Sequence, residues 1–388
     1  MISYEKSLLI NSRILSKNSK LIYPVQNFVD LIWRGKPAKP LNKVYVQSIE
    51  FTGKEAASKL SELREWIRQQ PPDKSYPSKI TGPTDVPVAT LVTSLSCIGM
   101  IYFLSSLSSA FAHTWPLAYI LNLRGSDIPY NPSFYAYLFV GLDHAILFLE
   151  PEKLVPEVID YLNSIGVEQQ GYNDIWTFLR RRSWGDGRIL IAPQTSQAIS
   201  LMLTSFRYTV APSYVEHMMS IKNETEVECM KQAYLRDGVS FVRFLAWLET
   251  KIAEGYDITE YDAARRLAWY RRKNKNFTGS VYENISATGA NAALPHYSPK
   301  KSTAAVISRE FPYLKYAVFV SAFNISKRSI SCSASGGQYC DGACDTTRTM
   351  HFGRPTPEMC ETYTRILQGH VRFIILYPSQ MCFTGFFK

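Results

Sequence analysis

Two polar segments in the C-terminal half of the chain contain residue types that can do chemistry. His296 follows a Gly/Asn-rich turn and precedes a Pro-bounded loop in the segment Ser286–Pro299. A loop histidine can act as an acid or base near neutral pH, although a structural role is commoner. Asp341 and Asp345 are four residues apart in a Gly-rich stretch that continues into Thr-Thr-Arg-Thr. Such carboxylates bind hard divalent cations when they lie on adjacent strands, and the alternative is a hairpin turn with a charged rim.

The seven cysteines are spread along the chain and give no metal-site pattern. Cys340 and Cys344 are four residues apart, but no histidine or second cysteine pair follows them at zinc-site spacing. Residues 1–20 contain several Lys and Arg and lack a long apolar core, so they are not typical of a secretory signal. We therefore expect free thiols and a cytoplasmic, reducing compartment.

The composition excludes a disordered tail or a disulfide-stapled miniprotein. The 388 residues are 46% hydrophobic and 20% charged, which is enough apolar material for two or three domains. The net charge is +10, but residues 265–275 form the one dense basic cluster, and an exposed helix end explains it. We therefore predict no nucleic-acid partner.

Three helices are predicted from capping signatures followed by apolar periodicity. Thr52–Glu55 precedes an apolar face, and Thr259 with Asp262 starts a helix that runs to Arg272. Asn223–Glu226 precedes a long apolar stripe in which Asp237 is the polar exception, and we expect a structural hydrogen bond there to an N–H or hydroxyl group. The members of the first face are Ala56, Leu60, Leu63 and Ile67; those of the stripe are Val227, Met230, Tyr234, Phe241, Leu245 and Leu248.

Short apolar runs predict strands between these helices. They are Val44–Ile49, Tyr135–Val140, Ala145–Leu149, Ile189–Ala192 and Tyr316–Val320. Their alternation with capped helices indicates an α/β or α+β chain with layered sheets. The run Val88–Ser106 is apolar enough for a membrane helix, but its serines, Pro87 and the missing basic flank argue against membrane insertion.

Five segments of the chain form a specific set of motifs. The two most specific are Asn-Leu-Arg-Gly-Ser-Asp at residues 122–127 and Gly-Gly-Gln-Tyr…Asp-Thr-Thr-Arg-Thr…His-Phe-Gly at residues 336–353. The other three are residues 27–33, 222–249 and 286–299. In order and spacing, these segments resemble the eukaryotic cytosolic Xaa-Pro aminopeptidases (aminopeptidase P) of the creatinase/methionine-aminopeptidase superfamily.

The resemblance implies a fold, a reaction and a cofactor. We expect a remnant of a first domain and linker over residues 1–45, a ribonuclease-H-like creatinase N-terminal-type domain over 46–218 and a partial pita-bread catalytic domain over 219–388. The family releases the N-terminal residue from peptides with proline at the second position. It uses two divalent cations, usually manganese, held by two Asp, one His and two Glu. Family members also often pair as homodimers.

Residue by residue, the resemblance covers only part of that site. His296 matches the family's loop histidine, and Asp345 matches the second Asp ligand. Ala334 stands where the first Asp ligand is expected, and Asp341 belongs to another family element. The His and both Glu ligands are expected beyond residue 388, so we expect little or no activity from this polypeptide.

Three segments depart from the family pattern: about residues 99–116, about residues 315–334 and the tail 379–388. We interpret them as translated intervening sequence ending at an early stop, in preference to evolved insertions, because long structureless inserts inside a domain are uncommon. Replacing residues 316–334 by one Asp would restore Tyr-Leu-x-Asp-Ser-Gly. Two alternatives stay open: a metal-free, protein-binding aminopeptidase-like domain of the histone-chaperone type, and a membrane-anchored protein.

Overall fold

The computed structural model describes residues 32–72, 86–93, 116–204, 207–294, 297–307, 313–315, 330–351 and 354–376. They form two compact units. The N-terminal unit contains the described residues of 32–48 and 54–219, and the C-terminal unit contains those of 49–53 and 220–376. The predicted α/β class is confirmed, because both units combine helices with sheets.

A six-stranded mixed sheet forms the centre of the N-terminal unit, in the order β6-β5-β4-β2-β7-β8. β2 pairs antiparallel with β4 and parallel with β7, so the start of the apolar run Val88–Ser106 is a central strand. A separate two-stranded sheet joins β1 and β3. The strands are β1 Tyr45–Val46, β2 Pro87–Thr93, β3 Leu123–Arg124, β4 Tyr137–Gly141, β5 Ala145–Phe148, β6 Val167–Gln170, β7 Arg188–Ile191 and β8 Tyr208–Val210.

Helices cover both faces of this sheet, because successive strand residues point to opposite sides. Leu138 and Val140 belong to a core with helices α2, α3, α4 and α7, whereas Tyr137 and Phe139 belong to a second core with α5 and α6. The helices of this unit are α2 Ala56–Arg68, α3 Pro116–Ile120, α4 Pro156–Ser164, α5 Asp174–Arg181, α6 Gln197–Leu203 and α7 Tyr214–Ser220, with a 3-10 turn at Pro151–Lys153. The short helix α1 Ile49–Thr52, which precedes α2 in the chain, belongs to the C-terminal unit.

The capping box predicted at residues 52–55 is wrong, although the apolar face that follows it is buried as predicted. Thr52 ends α1, Gly53 has a φ of +63°, and Glu55 is the N-cap of α2 without a capping side-chain bond. The turn at Gly53 separates two helices where the sequence indicates one. Ala56, Leu60, Leu63 and Ile67 are all buried.

The Asn-Leu-Arg-Gly-Ser-Asp segment is structural. The Asn122 amide donates to the Lys54 carbonyl and its Oδ1 accepts from the buried Lys59 amine at 2.7 Å. Asp127 forms a buried ion pair with Lys153 and accepts from the Tyr135 N–H at 2.7 Å. This family-specific motif therefore stabilises the packing of the N-terminal unit.

The described part of the C-terminal unit combines α1 and three longer helices with two small sheets. Helix α8 Glu224–Ala253 packs on α9 Glu260–Arg272, and α10 Pro357–Leu376 follows the last strand. The sheets have the orders β14-β13-β9 and β10-β11-β12-β15. Their strands are β9 Phe277–Ser280, β10 Ala287–Thr288, β11 Tyr313–Lys315, β12 Ile330–Ser335, β13 Gly337–Tyr339, β14 Gly342–Ala343 and β15 Thr346–His351.

Two predicted helix starts in this unit are confirmed. Asn223 and Glu226 form a reciprocal capping box, and the Thr259 hydroxyl caps α9 by accepting from the Asp262 N–H at 3.1 Å. The predicted apolar stripe is wrong at its N-terminal end, because Val227 and Tyr234 are each 40% exposed. The buried face includes Phe241, Phe244, Leu245 and Leu248, which form a core with Ala263, Leu267 and Ile307.

Two sequence predictions concern residues that lie wholly or partly outside the described ranges. The strand predicted at 316–320 lies outside them. So does the part of the proposed membrane run beyond residue 93. In the described ranges, no helix combines the length and apolarity that crossing a bilayer requires.

Candidate functional site

Asp237 is held in a fully buried ion pair on α8. Arg271 of α9 donates from Nε to Oδ1 at 2.7 Å and from Nη2 to Oδ2 at 2.8 Å. The Tyr339 hydroxyl donates to Oδ1 at 3.0 Å. The expectation of a structural hydrogen bond for Asp237 is confirmed, since all three donors satisfy the carboxylate inside the unit.

The glycine pair before Tyr339 explains how β13 approaches this ion pair. A Cβ on Gly337 would overlap Oδ1 of Asp237, and one on Gly336 would overlap the Cys344 carbonyl. Glycine is therefore required at both positions for the close approach.

A second network occupies Asp341. Its carboxylate forms an ion pair with Arg236, whose guanidinium also lies 5.4 Å from the centre of the Tyr339 ring. Asn274 donates its amide to the Tyr339 hydroxyl at 3.2 Å and to the Ser240 hydroxyl at 2.8 Å. Asp341 is thus neutralised by arginine and belongs to the support of β13 and β14.

Asp345, directly before β15, has a different environment. Its Oδ1 accepts from the Tyr282 hydroxyl at 3.0 Å, and its own N–H donates to the Tyr234 hydroxyl at 3.4 Å. No Lys or Arg whose side chain the structure describes forms an ion pair with it. The residue as a whole is exposed, but neighbouring atoms shield its carboxyl group from water, and this desolvation raises the pKa of Asp345. The Tyr282 hydrogen bond and the Arg271 charge oppose that rise only in part.

The position of Ala334 follows from the strand register. Ala334 of β12 pairs with Thr347 of β15, and Ser335 pairs with Thr346. Extending this ladder by one step makes position 334 a diagonal neighbour of position 345, on the same face. Alanine supplies no ligand atom there.

The described residues do not fit a two-metal centre. No group of three or more His, Cys, Asp or Glu side chains within these ranges is arranged to hold a metal ion. Asp237 and Asp341 are committed to Arg271 and Arg236, which leaves Asp345 as a single carboxylate. A lone carboxylate is too few ligands for a stable metal site.

His296 lies outside the described residues, but the segments on both sides of it are anchored by one buried carboxylate, Glu260. Glu260 accepts from the Thr288 N–H at 2.6 Å and the Ala305 N–H at 3.0 Å. It also accepts from the Tyr297 hydroxyl at 2.9 Å and from the Asn291 amide at 3.1 Å. Glu260 therefore fastens residues 288–305 to the start of α9.

The sequence contained a weak signal for Glu260. An acidic residue in the first turn of a helix is ordinary, because it complements the helix dipole. The donors that mark it as special come from residues 28 to 45 positions later in the chain. Burial first, and then the hydrogen bond to Glu260 and its charge, raise the pKa of Tyr297 to about 12.

The raised pKa of Asp345 predicts a stability change with a definite sign. Because the folded-state pKa lies above the unfolded value, the ionised carboxylate disfavours the folded state, and this penalty grows as pH rises from about 4 through the folded pKa. We expect Asp345→Asn to be as stable as the parent near pH 3.5 and more stable at pH 7, by at most about 1 kcal/mol because solvent screens the group.

Urea denaturation of both chains between pH 3.5 and 8 measures this difference. The matched control is Asp341→Asn, which leaves Arg236 without its carboxylate partner and should be less stable than the parent at pH 7. A loss of stability in Asp345→Asn equal to that in Asp341→Asn would contradict the prediction.

Two sequence profiles match adjacent parts of the chain. The creatinase/prolidase N-terminal domain matches residues 106–226, and metallopeptidase family M24 matches residues 228–377. Curated relatives from Laccaria bicolor and Coprinopsis cinerea, each named "Probable Xaa-Pro aminopeptidase P", are 32% and 31% identical over 368 and 387 residues. These alignments cover 93% and 96% of this chain but 49% and 54% of the relatives, so the chain spans about half their length.

A solved structure is similar in fold to this chain. It is an X-prolyl aminopeptidase from Caenorhabditis elegans, described as a cytosolic enzyme with a di-nuclear active site. The match has a TM-score of 0.66 at 25% identity and covers 86% of this chain and 47% of that one. The predicted succession of a creatinase N-terminal fold and a pita-bread fold is thereby confirmed.

Proposed function

Because the chain belongs to metallopeptidase family M24 and carries a creatinase/prolidase N-terminal domain, we propose that it is an Xaa-Pro aminopeptidase-type protein. Its ligand class is peptides with proline at the second position. In this proposal His296 is the loop histidine of the site and Asp345 is a metal ligand for Mn²⁺. A cytoplasmic location and pairing with a second copy belong to the same proposal.

The environment of Asp345 is the observation that carries this proposal. Of the three aspartates near β13–β15, Asp237 and Asp341 are each paired with an arginine, whereas Asp345 has a tyrosine hydroxyl as its side-chain partner. Desolvation of the Asp345 carboxyl group without an ion-pair partner among the described side chains disfavours folding, as its raised pKa indicates. A carboxylate held in this way is suited to binding a cation in the assembled site.

The same geometry leads us to propose that the 388-residue polypeptide does not hydrolyse peptides. Two-metal hydrolysis needs ligands for both cations and fixed positions for the attacking and leaving groups. In the described ranges, Asp345 is the candidate ligand, and the diagonal position holds Ala334. Tyr282 would orient the Asp345 carboxylate by donating to Oδ1.

Peptide cleavage and metal binding test the two parts of the proposal separately. We expect no release of Arg from an Arg-Pro-Pro peptide with added Mn²⁺, measured by mass spectrometry. We also expect only very weak Mn²⁺ binding, with a Kd above roughly 10⁻³ M, because a lone carboxylate supplies far fewer ligands than even the weakest multi-oxygen sites. Loss of the free-ion electron paramagnetic resonance signal measures it. Asp345→Asn should abolish this binding, and Asp341→Asn should preserve it.

Two results would contradict the proposal. Mn²⁺-dependent release of Arg that disappears in His296→Ala would show that the polypeptide is active. Mn²⁺ binding that is the same in Asp345→Asn and the parent would remove Asp345 from the site.

A non-catalytic protein-binding role is the second candidate, because the described residues hold no group of three or more side chains arranged to bind a metal ion. Fluorescence anisotropy with an Xaa-Pro peptide distinguishes the two. Binding that is unchanged by EDTA and equal for a peptide without proline would favour the scaffold.

A further inference from the structure

Strands β11 and β12 run side by side in the same direction, with a constant sequence offset. Tyr313 pairs with Ser331, Leu314 with Cys332 and Lys315 with Ser333, so the difference in residue number is the same for all three pairs. Neighbouring residues at one level of a sheet point to the same face. The two segments are therefore equivalent in direction, level and face.

β12 in turn pairs with β15 on its other side. Cys332 lies opposite Thr349, and Ser333 lies opposite Arg348. A segment parallel to β12 presents its N–H and C=O groups with the same polarity. Moved across by one strand position, β11 would thus set Leu314 opposite Thr349 without any change of register.

Strand propensity favours β11 for that place. Tyr and Leu at 313–314 are better suited to a half-buried strand than Ser and Cys at 331–332, since aromatic residues are enriched in strands. β12 thus lies between β11 and β15, although β11 has a stronger intrinsic strand preference than β12.

The separation also affects the candidate site. β10 pairs with β11 and leads directly into the segment 289–305 that Glu260 anchors. Asp345 precedes β15 on the far side of β12. The presence of β12 therefore places the Glu260-anchored segment one strand spacing, about 4.8 Å, further from Asp345 than direct pairing would.

We infer that residues 330–333 of β12 are an addition to the sheet, and that β11, continued by Ala334 and Ser335, pairs directly with β15, in register, when residues 316–333 are removed. This deletion joins Lys315 to Ala334, and its length equals the constant offset between β11 and β12. The resulting sheet has the order β10-β11-β15. The inference concerns the sheet alone and does not depend on the proposed function. A deletion that is shorter or longer by a single residue shifts the register by one position and turns each side chain to the opposite face.

Engineered disulfides test this inference in chains that are otherwise complete. Residues 316–333 are deleted in a variant with Leu314→Cys and Thr349→Cys. Adjacent strands bring Cα atoms within the disulfide range of roughly 4.4–6.8 Å, whereas strands two apart are about 10 Å away. Under mild oxidation we expect the 314–349 disulfide to form at least about tenfold more in this variant than after deletion of 316–332 or 316–334.

Undeleted chains supply the controls. Thr349→Cys alone should cross-link to the natural Cys332, which verifies the β12–β15 register. Leu314→Cys with Thr349→Cys and Cys332→Ser should give no 314–349 disulfide, because β12 intervenes.

A second variant guards against a deletion that fails to fold. Cys332→Pro in the undeleted Leu314→Cys, Thr349→Cys chain removes a ladder N–H from β12. We expect the 314–349 disulfide to form there, because β11 takes the vacated place. Peptide mapping identifies the cross-link. Absence of this disulfide from both the 316–333 deletion and the proline variant, or equal yields from all three deletions, would overturn the inference.

Discussion

Arg271→Met is expected to lower the free energy of unfolding of the C-terminal unit by about 3–5 kcal/mol. The side chains of Arg271 and Asp237 are 0% and 3% exposed, and the guanidinium supplies two of the three hydrogen bonds to the carboxylate. Methionine fills a similar volume but leaves a buried charge without its counter-ion. The uncompensated Asp237 carboxylate is the source of the loss. Urea denaturation followed by circular dichroism measures the change.

Two further variants separate this effect from lost packing. Adding Asp237→Leu to Arg271→Met removes the unpaired charge and should restore most of the stability, because replacing a whole buried pair by apolar groups is often neutral. Arg236→Met breaks the ion pair with Asp341. Because the Arg236 side chain is 24% exposed, this substitution should lower the free energy of unfolding by less. A cost below about 1 kcal/mol for Arg271→Met would show that water reaches the site.

Glu260→Ala is expected to destabilise the C-terminal unit by at least about 3 kcal/mol. The substitution leaves the N–H groups of Thr288 and Ala305 without their acceptor, together with the Tyr297 hydroxyl and the Asn291 amide. Buried donors that lose a charged acceptor incur their desolvation cost in full. Hydrogen exchange should therefore accelerate most at the amides of Thr288 and Ala305.

Glu260→Gln and Glu249→Ala are the matched comparisons. Glutamine keeps one acceptor oxygen, but its amide nitrogen cannot accept from a backbone N–H, so we expect an intermediate loss. Glu249 is exposed on α8, and its removal should change neither stability nor exchange at 288 and 305. Unchanged exchange at those two amides in Glu260→Ala would show that another group anchors the segment.

The constant offset between β11 and β12 agrees with the sequence interpretation of residues 315–334 as an insert. Replacing residues 316–334 by one Asp shortens the chain by the same number of positions that separates Leu314 from Cys332 in the sheet. The net shortening of the chain comes from the spacing of family-like sequence motifs, whereas the residue offset comes from strand pairing. Their agreement supports testing Ala334→Asp in the 316–333 deletion as a route to a second carboxylate.

The helix starts at Asn223 and Thr259 could be predicted from the sequence because capping is local. The donor and acceptor are three residues apart, so a short stretch of sequence contains both partners of the hydrogen bond. The alternation of buried strands with capped helices likewise indicated the α/β class. The apolar stripe of α8 was misjudged because periodicity shows which residues share a face but does not show where α9 ends its contact with that face.

Residue types and short spacings were enough to predict the α/β class, and the resemblance to the family supplied the candidates His296, Asp345 and Ala334. They could not predict which carboxylates are neutralised. Asp237, Asp341 and Asp345 are the same residue type, but each has a different partner. Those partners, Arg271, Arg236 and Tyr282, come from distant parts of the chain. The position of β12 between β11 and β15 likewise emerged from strand pairing. Charge pairing and register depend on contacts between segments far apart in sequence, so the folded chain sets them.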